Sequence, residues 1–136
     1  MKRFVSSLVA LAIVVFGAVA WAGSYLDRAA LLVTGARQTN EWVLGHLGDK
    51  ELAMVAETIA DARVKAARNM LVPKDVAPVH PHLLLMLENS ERAAAAAADG
   101  DPEKFLHHLR TARDEEAAFK SLLSLQHLSL PDVSKR

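Results

Sequence analysis

The sequence predicts an all-α protein, an antiparallel up-down four-helix bundle that follows a cleaved signal peptide. Three observations carry this. The first residues have the layout of an export leader. Four later segments repeat apolar residues every three or four positions, and none alternates with the period of a strand. Only 5 Pro and 6 Gly punctuate 136 residues, so long elements are expected. Apolar residues make up 51% and aromatics 5%. Such Ala- and Leu-rich composition favours helix because these side chains lose little freedom there.

Residues 1–22 form the leader. Lys2 and Arg3 give it a positive start, Phe4 to Val19 is nearly continuous apolar sequence, and Ala20-Trp21-Ala22 supplies the small-x-small pattern cut by signal peptidases. Cleavage after Ala22 makes Gly23 the new N-terminus and places the protein in the periplasm or outside the cell. The alternative is a membrane anchor over residues 4–22, since that stretch approaches the roughly 20 residues that span hydrocarbon. Without cysteine the chain has no lipid-anchor site, disulfide, thiolate metal site or cysteine nucleophile. Removing Lys2 and Arg3 with the leader leaves 14 basic residues against 16 acidic, a net charge of −2. No strong positive field remains to attract nucleic acid, which argues against that partner.

The bundle is expected over residues 23–130, with a flexible tail over 131–136. The first helix is predicted from Ser24, as N-cap, to Leu44, with Tyr25, Ala29, Leu32, Ala36, Val43 and Leu47 inward. Asp49 caps a second helix over 50–71, with Leu52, Val55, Ala56, Ile59, Ala62, Ala66 and Met70 inward. Pro73 stops it, because a residue before proline is pushed out of the helical region. The third helix starts near Pro81 and runs to Ala98, with Leu83, Leu87, Ser90, Ala94 and Ala97 inward. Asp99-Gly100-Asp101-Pro102 is a stop followed by a restart: Gly100 terminates, Asp101 caps, and Pro102 takes the first helical position. The fourth helix spans 102–128, with Phe105, Leu109, Ala112, Phe119, Leu122 and Leu123 inward. Four amphipathic helices joined by short connections bury their stripes around one centre. A three-helix core with the first segment peripheral is the other arrangement open to this pattern.

Some polar residues fall on the inner faces. At 100° per residue, Glu116 stands about 20° from Phe105, and Arg63 about 20° from Leu52. The pairing of helices brings both to one level, which predicts an Arg63–Glu116 contact in mid-bundle, with Glu91 at its edge. Carboxylate-bridged di-metal bundles need Glu-x-x-His motifs, and this sequence contains none. An ion pair that fixes helix register is therefore expected.

Six histidines sort to the two ends of the bundle. His46, His107 and His108 share one end. His80, His82 and His127 share the other, together with Met70 and Met86. Imidazole is a common metal ligand, which makes His46, His107, His108 and His80 candidate metal ligands. No pair has the i, i+4 spacing that sets two imidazoles on one helical face. His82 is equally suited to a hydrogen-bonded place near Glu116 and Phe119.

The stretch Ala95-Ala96-Ala97-Ala98-Asp99-Gly100-Asp101-Pro102-Glu103-Lys104, followed by Leu109-Arg110-Thr111-Ala112-Arg113-Asp114, resembles the last two helices of the soluble haem-b four-helix cytochromes of the bacterial periplasm. The resemblance covers about 45 residues and implies export, an up-down bundle and haem b. The position matching that family's ligating histidine is Ala117, and no methionine lies near the start of the first mature helix. His127 with Met70, Met86 or His82 is the alternative axial set, which makes His82, His127 and Met70 the candidate cofactor ligands.

The expected function is that of an exported, non-enzymatic binding or accessory protein with another protein as partner. Trp42 and the run Leu83-Leu84-Leu85-Met86-Leu87 are the candidate recognition surface. A metal or haem carrier is the alternative.

Overall fold

A computed structural model describes the backbone of residues 2–135 and the side chains of residues 23–135. The side chains of residues 1–22, where a leader and its cleavage site are expected, lie outside the described residues, as does Arg136. Four helices account for the regular structure: α1 (Lys2–Gly45), α2 (Lys50–Arg68), α3 (His80–Ala98) and α4 (Pro102–Leu125). No strand forms among the described residues. None of the helices, over the residues with described side chains, is long and apolar enough to cross a membrane.

Local chemistry sets the boundaries. The Asp49 carboxylate accepts the Leu52 amide, and the Asp101 carboxylate accepts the Lys104 amide, each at 3.0 Å. These bonds satisfy amides that a helix start leaves unpaired. Pro102 opens α4 where its missing N–H costs nothing. Gly48 and Gly100 take positive φ, +102° and +75°, in the two short turns. Ser24 does not cap α1, because the helix is already continuous there from Lys2. α4 ends three residues earlier than its pattern implies. His127 adopts φ +59°, and the Leu128 amide turns back to the Leu123 carbonyl at 2.9 Å, a left-handed helix stop built on a non-glycine residue.

Close packing joins α3 to each of α1, α2 and α4, and α1 to α2. The central position of α3 explains its consecutive apolar run: Leu83, Met86 and Leu87 share one buried face, Leu84 packs against the core beside it, and Leu85 emerges. That run is thus mainly core, the place that five consecutive apolar residues on a central helix also suit. Alanines from Ala93 to Ala97 let neighbouring helices approach this end closely.

The core has two parts. A large-residue cluster gathers Tyr25, Val33, Val64, Leu83, Leu87, Phe119 and Leu123. An alanine-rich cluster gathers Val43, Ala53, Ala56, Ala93, Ala94, Ala96 and Ala97 around Phe105 and Leu109. The connection after α2 is part of the structure: Val76 and Val79 are fully buried in the first cluster, and Leu128 and Leu130, after α4, pack against the same cluster.

The inner face of α2 differs from the expected one. Its buried row is Ala53, Ala56, Ala60, Val64 and Ala67. Val55 and Ile59, expected inward, are 54% and 42% exposed, and Ala62 and Ala66 are also exposed. Small residues face α1 and α3 because the helices approach closely there, so the bulkier row is left outside. Leu47, expected inward on α1, is exposed as well.

Candidate functional site

Between the two apolar clusters lies a polar layer. Asn40 on α1 donates its side-chain amide to the Ser90 hydroxyl on α3 at 3.0 Å, and both are buried. Ser90 in turn donates to the Met86 carbonyl. Arg63 on α2 donates to the Thr39 hydroxyl on α1 at 2.9 Å. Arg37 on α1 donates to both carboxylate oxygens of Glu116 on α4, at 2.7 and 3.2 Å, and Lys120 adds a bond to Glu116 at 3.0 Å. No buried side-chain nitrogen or oxygen among the described residues lacks a partner. The low dielectric of the interior makes this completeness matter, since an unpaired buried polar group is costly.

The expected Arg63–Glu116 pair does not form. Glu116 is taken by Arg37, which reaches it from the flank of α1. Arg63 points to the α1–α2 seam, where burial lowers its pKa. Glu91 is separate from both. It sits beside α2, where burial raises its carboxyl pKa, reinforced by Asp61 and opposed by Arg68. The sequence marks the layer but not its partners, because the buried row of α2 lies one step round the helix from its more hydrophobic row. Stepping α1 from Tyr25 at 100° per residue brings Asn40 to about 60°, inside the apolar arc, so the same test applied to α1 would have found it.

The layer opens into a cleft between α1, α3 and α4 with a volume of about 220 Å³, lined by Arg37, Asn40, Glu41, Met86, Leu109, Ala112, Arg113 and Glu116. Burial raises the Glu116 pKa, but the bonds from Arg37 and Lys120 outweigh it and leave the pKa below the ordinary carboxyl value.

The histidines are held apart by separate bonds. His80 is buried, and its Nδ1 lies 2.9 Å from the Tyr25 hydroxyl. Burial lowers its pKa, against a hydrogen bond that the ring donates to the Ala67 backbone carbonyl, which acts in the other direction. The phenol of Tyr25 is raised by burial. His82 Nδ1 lies 2.6 Å from Glu115 Oε2 on α4, so its carboxylate partner is the neighbour of the residue expected. His46, in the turn after α1, bonds the Trp42 carbonyl of that helix at 2.7 Å and meets the Trp42 ring edge-on. His107 and His108 stack edge to face, and His108 makes a long contact of 3.4 Å with Asn89. His127 is exposed in the turn after α4, and Met70 packs against the large-residue cluster. No group of three His, Asp or Glu suited to a metal ion gathers among the described residues. His46, His107, His108 and His80 are thus not assembled into one ligand set, and His82, His127 and Met70 occupy three different settings.

Comparison with family models, with curated proteins and with solved structures returned no match to this chain.

Proposed function

We propose that this chain is an exported, non-enzymatic accessory protein, an up-down antiparallel bundle freed from its leader, that docks an amphipathic helix of a partner protein along the outer face of α2. The observation that carries this is the row Leu52, Val55, Ile59, Ala62 and Ala66. Its spacing alternates three and four residues, the a and d pattern of a coiled-coil seam. Of these five, Leu52 is half-buried and the other four are exposed.

A seam of this kind takes another helix, read by anchors at i, i+3, i+4 and i+7. Its flank carries Glu51 at one end, so a complementary helix offers a base opposite Glu51, while Lys65 at the other end is held by Asp61 of its own helix at 2.7 Å. Trp42 on the neighbouring helix, 56% exposed, adds an aromatic anchor of the kind enriched at interfaces. The up-down reading is supported by cross-helix bonds: Thr39 with Arg63, Asn40 with Ser90, His82 with Glu115 and Asn89 with His108. Export is supported by the pattern of residues 1–22.

The test places a photo-reactive residue at Val55 in the exported full chain, with Lys74 as the control position. The proposal expects one crosslinked segment of another protein. A synthetic peptide of that segment should bind the purified chain, and Ile59→Glu should abolish that binding. Crosslinks only to a second copy, or equal background at both positions, would overturn it.

A further inference from the structure

We propose that the cleft between α1, α3 and α4 binds a small zwitterion with an apolar body, of the α-amino acid kind. Two charged side chains that line it are left without a salt bridge or side-chain hydrogen bond among the described residues: Glu41 on α1 and Arg113 on α4. They stand at one level. Arg37 and Glu116 tie α1 to α4. Glu41 lies one turn beyond Arg37 towards the end of α1, and Arg113 lies about one turn before Glu116 towards the start of α4. Later residues of α1 meet later residues of α3, as Tyr25 with His80 and Asn40 with Ser90. Later residues of α3 meet earlier residues of α4, as His82 with Glu115 and Asn89 with His108. These steps therefore carry Glu41 and Arg113 in the same direction along the bundle.

The floor between them is apolar, made by Met86, Leu109 and Ala112. Glu41, within the field of Arg37 one turn away but not bonded to it, and the unbonded Arg113 above such a floor complement an ammonium and a carboxylate on one small molecule. The guanidinium fork suits a carboxylate in particular. A simple anion would meet Glu41 unfavourably, and a simple cation Arg113. The volume of about 220 Å³ lies below that of drug-sized pockets and matches a ligand of modest size. Arg37 and Glu116 already bond each other, which leaves Glu41 and Arg113 as the lining charges without a bonded partner among the described residues.

The experiment is a titration of the full mature chain, followed through its backbone amide NMR signals, with L-leucine, 4-methylpentanoate and 3-methylbutylamine as separate probes. The expected result is a saturable shift at Asn40, Leu109 and Ala112 with L-leucine, and binding at least about tenfold weaker for the other two. Glu41→Gln and Arg113→Gln should each weaken L-leucine binding by about tenfold or more. Both residues are exposed, and the helical circular dichroism should be unchanged. No saturable shift at these amides, equal binding of all three probes, or unaltered binding by both variants would overturn the assignment.

Discussion

The Arg37 guanidinium of α1 grips the Glu116 carboxylate of α4 through both oxygens, while Lys120 holds one of those oxygens from its own helix. α1 and α4 are not among the closely packed helix pairs, so this bond is a main tie between them. Charge-assisted bonds of this geometry are stronger than neutral ones, but Arg37 is partly exposed and solvent screens it.

Glu116→Gln should therefore cost about 1 kcal/mol at neutral pH. The folded pKa of Glu116 is below its ordinary value of 4.5. A depressed carboxyl contributes stability above the unfolded pKa and loses it as pH falls through the folded one. Urea unfolding should show the wild-type advantage at about pH 7 and its progressive loss as the pH falls below 4.5. An advantage that persists in acid would show that the pair acts through shape and not charge.

Tyr25→Phe should destabilise the chain by about 1 kcal/mol, because it removes the hydroxyl that serves the buried Nδ1 of His80. His80 also sets a pH dependence. Its folded pKa lies below 6.5, so on acidification the unfolded chain takes up a proton that the folded chain resists. Stability then falls as pH drops below 6.5. His80→Gln should flatten thermal stability between about pH 7 and about pH 5. Some slope should remain from His108, whose pKa is lowered by burial and by His107, Arg92 and Lys104.

Gly35 lies in the middle of α1, where glycine costs about 1 kcal/mol relative to alanine. A Cβ there would stand 3.0 Å from Nη2 and 3.1 Å from Nε of Arg63. The guanidinium would have to move while bonded to Thr39, and that loss offsets the helix gain. Gly35→Ala should be near neutral in the wild-type chain. In an Arg63→Ala background the same change should stabilise by about 1 kcal/mol. A double-mutant cycle by denaturant unfolding measures the difference, and strict additivity would contradict it.

Much of this fold was legible in the sequence because its signals are local. Asp49, Asp101, Pro102 and Gly100 act within a turn of themselves, and they mark helix boundaries directly. The faces of α3 and α4 were legible because Leu83, Leu87, Phe105 and Phe119 are large, and large apolar side chains dominate a stripe. α2 misled for the complementary reason. Its inward row is almost all alanine, which carries little hydropathy signal, while Val55 and Ile59 carry more and face out. That single rotation displaced Arg63 and with it the expected partner of Glu116. The burial of Val76 and Val79 was hidden in a proline-bearing connection with no period to read. The cleft depends on side chains from three helices, and no spacing in one segment announces it.

The outward seam of α2 is what the proposed function stands on, and paired substitutions on its two faces test it most directly. Urea unfolding of Ile59→Glu should match the wild type within about 0.5 kcal/mol, since a charge at an exposed position disturbs little. Val64→Glu, at a position 1% exposed, should lose about 3 kcal/mol or more by burying an unpaired charge. If Ile59→Glu unfolds the chain while Val64→Glu is tolerated, α2 packs by its other face and the seam does not exist.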